Sequence, residues 1–172
     1  MPGRLQTPQD CYLTPGEPNL RKRIDAINSI SQQAFSPRSY HDQGTNNAQD
    51  FNSTTYVVIT GMSIPVAVPV PSRVILQATL RVECTTFAAT EAFQFAFYLN
   101  GTRIQDSVGI WEPTAVDARS MQTIIFMQSD LVPETLYTYD VRARNDTGTT
   151  GVYQVNGTKS SLIIRTEGRQ RI

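Results

Sequence analysis

The sequence predicts a mainly β protein: an antiparallel jelly roll or β-sandwich with an extended N-terminal arm and one short amphipathic helix. Three observations carry this. In Phe93-Gln94-Phe95-Ala96-Phe97-Tyr98-Leu99 the largest apolar residues fall on every second position, the period of a strand, and Asn100-Gly101 follows at once. That pair is the strongest short signal for a two-residue hairpin turn, because both turn positions need positive φ. Val74, Leu76, Ala78, Leu80, Val82 and Cys84 alternate with Gln77, Thr79, Arg81 and Glu83 in the longest such run of the chain. From Thr55 onward these runs succeed one another between turn signals with no helical pattern among them, which specifies two stacked layers of antiparallel strands.

Residues 1 to 18 hold Pro2, Pro8, Pro15 and Pro18 among glycines and polar side chains, and read as an extended arm. After Asn19, a good N-cap, Leu20, Ile24, Ile27, Ile30 and Ala34 recur at helical spacing and predict a helix from about Leu20 to Phe35. Such a helix is marginal alone in water, so its apolar stripe must dock on the barrel or on a neighbouring subunit. Arg21-Lys22-Arg23 lies in the first turn, where the macrodipole prefers negative charge; it reads as a solvated basic turn or one covered by an acidic partner. Ser36 to Asn52 reads as a polar linker. The expected division is therefore 1–52 for arm, helix and linker, 53–168 for the jelly roll and 169–172 for a tail. Residues 1 to 50 are expected to be dispensable for folding of the barrel.

The first strand of the barrel is predicted at Thr55 to Thr60. Ile64 to Pro71, rich in proline, belongs on an edge or crosses between sheets, since proline cannot donate to a ladder. Ser72 to Cys84 and the hairpin from Ala92 follow, with Arg103 onward returning as the partner strand. Val108-Gly109-Ile110-Trp111-Glu112-Pro113 reads as a loop. Ser120 to Gln128 places Met121, Thr123, Ile125 and Met127 on one face, and Leu136 to Asn145 turns Tyr137, Tyr139, Val141 and Ala143 inward with Thr138, Asp140, Arg142 and Arg144 outward. Val152 to Val155 is a short strand, and Asn156-Gly157 is expected to open a last hairpin into Ser160 to Thr166.

The formal charge is zero and balanced on both sides of residue 50, with five basic and five acidic residues before the cut and ten of each after, so no general pull toward nucleic acid is expected. All basic residues except Lys22 and Lys159 are arginine, a bias found in interfaces and also in GC-rich genomes. The opening residues lack the apolar core of a signal peptide, and no run of about 18 apolar residues occurs, so neither a leader nor a membrane span is expected. Without a leader, the four Asn-X-Ser/Thr sequons at Asn52, Asn100, Asn145 and Asn156 read as turn chemistry. The distant Cys11 and Cys84 suggest no disulfide framework, and Cys84 completes an apolar strand face.

No catalytic residue, metal ligand or cofactor is expected. His41 is the only histidine and falls in the presumed linker, away from any nucleophile's neighbourhood. One histidine and two distant cysteines do not make a zinc site, and neither a calcium loop nor a phosphate-cradling glycine motif is present. Surface or ligand contact is assigned to Trp111, in a loop flanked by glycine and proline where a sugar could stack, and to Arg142 and Arg144 on an outward face, which with Arg73, Arg81 and Arg103 elsewhere could bind an anionic surface. Against these stand two other readings: Trp111 plugs the barrel or packs at a subunit interface, and Asp140, Glu83 and Asp106 neutralise the arginines as cross-strand pairs.

The run Leu136-Tyr137-Thr138-Tyr139-Asp140-Val141-Arg142-Ala143-Arg144, a Gly/Thr-rich turn, and Ser161-Leu162-Ile163-Ile164-Arg165-Thr166-Glu167 resembles the closing strands of trimeric TNF/C1q-like jelly-roll modules of tailed-bacteriophage virions. Phe97-Tyr98-Leu99-Asn100-Gly101-Thr102-Arg103-Ile104 resembles their mid-domain hairpin. The resemblance spans residues 55 to 167 and implies a non-enzymatic homotrimer in the virion, assembled in the host cytoplasm. The absence of collagen-like repeats and sustained heptads favours a capsid decoration or cement subunit over a long fibre. Its expected partners are itself and the major capsid protein or another virion protein, through Leu20, Ile24, Ile27 and Ile30, without nucleic acid or membrane. The alternative is the tip of a short tail fibre that binds a receptor or host glycan.

Overall fold

Strict alternation decides which layer each strand joins. A computed structural model describes residues 38–168 apart from 46, 47, 69 and 71. The predicted arm, the helix with Leu20, Ile24, Ile27 and Ile30, and the tail lie outside the described residues. The strands are β1 (Arg38–Gln43), β2 (Gln49–Phe51), β3 (Val57–Ala67), β4 (Ser72–Thr86), β5 (Phe93–Leu99), β6 (Thr102–Trp111), β7 (Arg119–Leu131), β8 (Leu136–Asn145) and β9 (Val152–Gly168).

They form two antiparallel sheets. One runs β1-β9-β4-β7, with β2 continuing the β1 edge along β9; the other runs β3-β8-β5-β6. From β2 onward every connection except the β5–β6 hairpin crosses to the opposite sheet, which is the winding of a jelly roll. The inner faces close on Phe93, Phe95 and Phe97 from one sheet and Val74, Leu76, Ala78, Leu80 and Val82 from the other, all buried. Each large side chain contributes roughly 1.5–3 kcal/mol on full burial, and Phe93 adds edge and stacked contacts to Phe51 and Phe95. Cys84 completes the β4 face as a buried thiol, and burial, with Asp117 nearby, pushes it above its ordinary range.

The hairpin forms as the sequence predicts, with Asn100 at φ 48° and Gly101 at φ 81°. It is also tied sideways, since the Asn100 N–H donates to the Thr138 carbonyl and the Thr138 N–H to Asn100 Oδ1, both at 2.8 Å. Gly109 has a different role: a Cβ there would lie 2.4 Å from a Phe95 ring atom and 2.7 Å from an Ile124 methyl, so the sheets meet closely at β6 only because the side chain is missing. Pro65 sits in β3 at the edge of its sheet, opposite Thr138, where proline does least harm to a ladder.

Three segments depart from the sequence reading. The presumed linker supplies β1 and β2, which cover one edge of β9: Arg38 to Gln43 face Thr166 to Ser161, and Gln49 to Phe51 face Val155 to Tyr153. Its polar composition suits an edge strand whose outer side meets water, and period-two apolar content is no guide there. Val108 to Trp111 is no loop but the end of β6, with Gly109 opposite Phe95 and Trp111 opposite Phe93. The proline signal at Pro113 marks the strand's end two residues later.

The Asn156-Gly157 pair opens no hairpin. Residues on both sides of it stay in β9 and pair with β4, so that Arg81 faces Asn156 while Thr79 already faces Ser161, and the residues between bulge out. The Ser160 hydroxyl fills the gap in the ladder, donating to the Asn156 carbonyl at 2.7 Å and accepting the Arg81 N–H at 3.0 Å. A bulge satisfied in this way keeps the strand straight enough to pair along its length.

A chain that begins at Phe51 is therefore expected to lose about 3 kcal/mol of stability, the order of a lost strand ladder with the half-buried Tyr40, and to expose an edge of β9 that invites aggregation. A chain that begins at Pro37 is expected to melt like the full-length protein. Chemical denaturation of both truncations measures this, and equal stability of the two would show that β1 contributes nothing.

Candidate functional site

The side chains that point out of the sandwich separate into two surfaces of opposite chemistry. On the four-stranded sheet, β8 sends out Asp140, Arg142 and Arg144, while Gln94, Ala96 and Tyr98 of β5 stand opposite Arg144, Arg142 and Asp140 in register. Arg103 of β6 lies opposite Tyr98 on the other side. Tyr56, just before β3, completes the cluster, with its hydroxyl 3.3 Å from Gln94 Oε1 and its ring 5.6 Å from that of Tyr98.

Guanidinium groups stack on both rings. Arg142 lies 4.2 Å from the Tyr98 ring centre, and Arg144 and Arg103 lie 4.7 and 5.9 Å from that of Tyr56. Arg142 is neutralised: its Nε and Nη2 donate to the two carboxylate oxygens of Asp140 at 2.6 and 3.2 Å, which holds the guanidinium above its ordinary range. Arg144 is held by neutral acceptors, through Nε and Nη2 to Gln94 Oε1 at 3.1 and 2.9 Å and Nη1 to the Thr54 carbonyl at 3.1 Å. Among the described residues, neither Arg144 nor Arg103 meets a carboxylate within ion-pair distance. Burial, with Tyr56 acting the same way, pushes the Tyr98 hydroxyl upward against the pull of all three arginines.

The expected neutralisation of the arginines is thus partial. Arg142 finds Asp140 two residues along its own strand, whereas the cross-strand pairs are Arg73 with Glu167 at 2.5 Å and Arg119 with Glu83 at 2.8 Å. Asp106, in the left-handed region at φ 63°, forms a β6 irregularity beside Ser107, whose hydroxyl serves Phe97 and Ile104 backbone groups. Trp111 is half-buried against the core, 6.3 Å from Tyr153 in an edge contact, so it closes one end of the sandwich. Arg142 and Arg144 come together as the sequence suggests; Trp111 stands apart, and the helix residues lie outside the described residues. Tyr56 and Tyr98 are the part that sequence reasoning missed; Arg103, grouped in sequence with Arg73 and Arg81 as a possible anion contact, joins the cluster while those two do not. Period two from Phe97 puts Tyr98 on the outward face, a usable signal, but the reach of Tyr56 across two strands has none.

The five-stranded sheet presents the second surface. Met121, Ile125 and Met127 of β7 point to solvent at 55%, 66% and 59% exposure. Ile75 of β4 faces Met127 across the ladder, and Gln77 lies between Ile125 and Ile163 of β9. On the neighbouring edge of the other sheet, Val108 and Ile110 of β6 are exposed as well. Single exposed apolar residues are ordinary, but three on one strand face, interrupted only by Thr123, are not.

A third cluster is structural. The Glu91 carboxylate accepts from the Gly151 N–H at 2.8 Å, the Thr150 N–H at 3.3 Å and the Asn145 side-chain amide, fastening the β8–β9 loop over the core. The Tyr153 hydroxyl donates to the Glu91 carbonyl at 2.8 Å. Asn145 also donates to the Gly151 carbonyl, leaving its own buried Oδ1 without a partner among the described residues. Beside Glu91 lies a cleft of about 350 Å³ that Glu112, Pro113 and Asp146 also line. Among the described residues no three His, Cys, Asp or Glu side chains come together as metal ligands would.

No protein-family model matches the chain, and no curated protein does. Among solved structures, it is similar to dimeric latent PorU from Porphyromonas gingivalis at 9% identity, over 77% of this chain and 13% of that one, with a TM-score of 0.49. It is similar to the tripod from the baseplate of bacteriophage Tuc2009 at 13% identity, over 98% and 79% of the chains, with a TM-score of 0.44. It is also similar to the Eiger TNF from S. frugiperda at 7% identity, over 79% and 95%, with a TM-score of 0.48. The chain thus spans only a small part of PorU and most of the other two.

The Glu91 latch generates a pH dependence. Burial raises this carboxyl, but the donors from Gly151, Asn145 and Thr150 outweigh it and hold the group below its usual range. A depressed carboxylate contributes stability above its unfolded pKa and loses it as pH falls through the folded value. Glu91→Gln is therefore expected to cost roughly 1–3 kcal/mol at pH 7, with the gap from wild type closing below about pH 4. Thermal melts of both proteins from pH 3 to 8 check this; a gap that persists at pH 3 would place the role of Glu91 in packing.

Proposed function

We propose that this chain is a non-enzymatic structural subunit of a virus particle, of the capsid decoration or cement type, that associates with copies of itself as a homotrimer. The observation that carries the reading is the uncovered apolar row Met121, Ile125 and Met127 on a sandwich whose inner faces are otherwise closed. Water contact along such a row disfavours the isolated chain, and a second copy removes it. The row lies on the outer face of the five-stranded sheet, whereas Val108 and Ile110 lie at the β6 edge of the other sheet. Two different apolar patches on one subunit suit head-to-tail contact, and head-to-tail contact closes into a ring where the rotation between subunits divides the full circle. The jelly-roll winding and the sequence resemblance to trimeric phage modules agree with a ring of three.

Attachment to the larger particle is assigned to the segment before β1. Leu20, Ile24, Ile27 and Ile30 make an apolar stripe at helical spacing in a sequence otherwise rich in proline and polar residues. This stripe is the contact with the major capsid protein or another virion component.

Light scattering or native mass spectrometry tests the ring: the full-length protein is expected to run as a trimer at micromolar concentration, and Ile125→Glu with Met127→Glu as a monomer that keeps its β circular dichroism. A monomeric wild type would overturn the proposal. For the anchor, Ile24→Ser with Ile27→Ser is expected to weaken binding to undecorated capsids by about two orders of magnitude while leaving the trimer intact. Unchanged capsid binding would move the contact elsewhere.

A further inference from the structure

We propose that the outer face of the four-stranded sheet carries a binding site for an anionic saccharide, a sugar bearing a sulfate or carboxylate group, built on Arg103 and Arg144 with Tyr56, Tyr98 and Gln94 as their support. The argument begins with the charge. Two guanidinium groups share the single Tyr56 ring, 4.7 and 5.9 Å from its centre, and the nearest carboxylate in the cluster, Asp140, is already engaged on both oxygens by Arg142. Two cations on one ring repel each other, and an anion lying between or above them offsets that repulsion. Arg103 is exposed and available to such an anion.

The second step is preorganisation. Arg144 is fixed by three hydrogen bonds to uncharged acceptors, Gln94 Oε1 twice and the Thr54 carbonyl, so its position is set while its charge stays uncompensated. Gln94 Oε1 takes donors from Tyr56 and Arg144, which leaves its amide nitrogen as a further donor on the half-exposed face. The cluster is thus rich in donors and poor in acceptors, the complement of a sugar carrying acidic groups.

The third step separates ligand classes. Binding single-stranded nucleic acid calls for an aromatic face on which a base stacks, but Tyr98 is only 8% exposed beneath Arg142, and Tyr56 is half-buried with two guanidiniums over it. A folded protein partner would look for an apolar centre; the centre of this cluster is arginine, with Val108 and Ile110 only at its margin opposite Ala96 and Gln94, and the apolar residues of β7 lie on the other sheet. A saccharide needs neither.

The proposal stands apart from self-association. The test immobilises the full-length chain and titrates a soluble heparin-derived hexasaccharide at low and at physiological salt. Binding that weakens with salt is expected, together with a loss of at least about tenfold for Arg103→Ala with Arg144→Ala in a protein that keeps its β circular dichroism and a cooperative melt. Arg165→Ala, on the outer face of the other sheet, removes charge without touching the cluster and is expected to bind as wild type, as is Ile125→Glu with Met127→Glu. An equal loss from Arg165→Ala would reduce the effect to net charge and overturn the proposal. So would no binding by wild type, or equal affinity of a single-stranded oligothymidylate for the same residues.

Discussion

The constraint on which the rest of the structure depends is the row Phe93, Phe95 and Phe97 at the centre of the four-stranded sheet. Three aromatic side chains on one face of a strand cannot be covered by their own sheet, so a second layer must face them, and β4 answers with Val74, Leu76, Ala78, Leu80 and Val82. Every other strand is placed by this demand. The crossing of nearly every connection from one sheet to the other follows from it too, since a strand added next to its predecessor would extend one layer while leaving the other incomplete. Packing at this density also explains Gly109, where the approach of Phe95 and Ile124 leaves no room for a methyl group.

Once the inner faces are committed, the outer faces are free to differ. Alternation makes one strand serve both: Ala143 and Val141 fill the core while Arg142 and Arg144 of the same strand face out. The arginine stems lie along tyrosine rings, and Asp140 is buried at 6% exposure beneath its partner Arg142, so the charged layer is a second packed stratum over the sheet. The opposite sheet bears Met121, Ile125 and Met127 where a solvated strand would carry polar residues.

Much of this was legible because period two survives wherever a strand has one dry face. β4, β5 and β8 show it, and their inward residues are the buried ones. The signal fails where its physical cause is missing. β1 and β2 are edge strands whose exposed side chains follow no apolar rhythm, so Arg38 to Phe51 resembled a linker. Asn156-Gly157 has the composition of a turn, but turn composition is only permission to reverse; Ser160 and the β4 ladder decide that the chain runs on. The glycine and proline around Trp111 have the composition of a loop, yet Gly109 is there for close packing and Pro113 for termination. The helix stripe lies outside the described residues and rests on the sequence pattern alone.

The two outer surfaces meet at β6, and this juncture decides how they combine. That strand carries Arg103 near its start, in the cationic cluster, and Val108 and Ile110 near its end, in the apolar edge. The irregularity at Asp106 and Ser107 lies between them, and the Ser107 hydroxyl restores the backbone bonding that the extra length interrupts. A bulge re-aims the side chains that follow it. Without it Arg103 and the apolar pair would keep one unbroken alternation, but four residues of β6 stand against Phe97 alone, and an odd number of extra residues shifts the later positions to the other face. Ile110 and Val108 therefore owe their exposure to the same local backbone feature that leaves Arg103 over Tyr56. In a head-to-tail ring whose contact uses the end of β6, the start of that strand lies at the rim of the contact, where charge stays solvated and anions still have access.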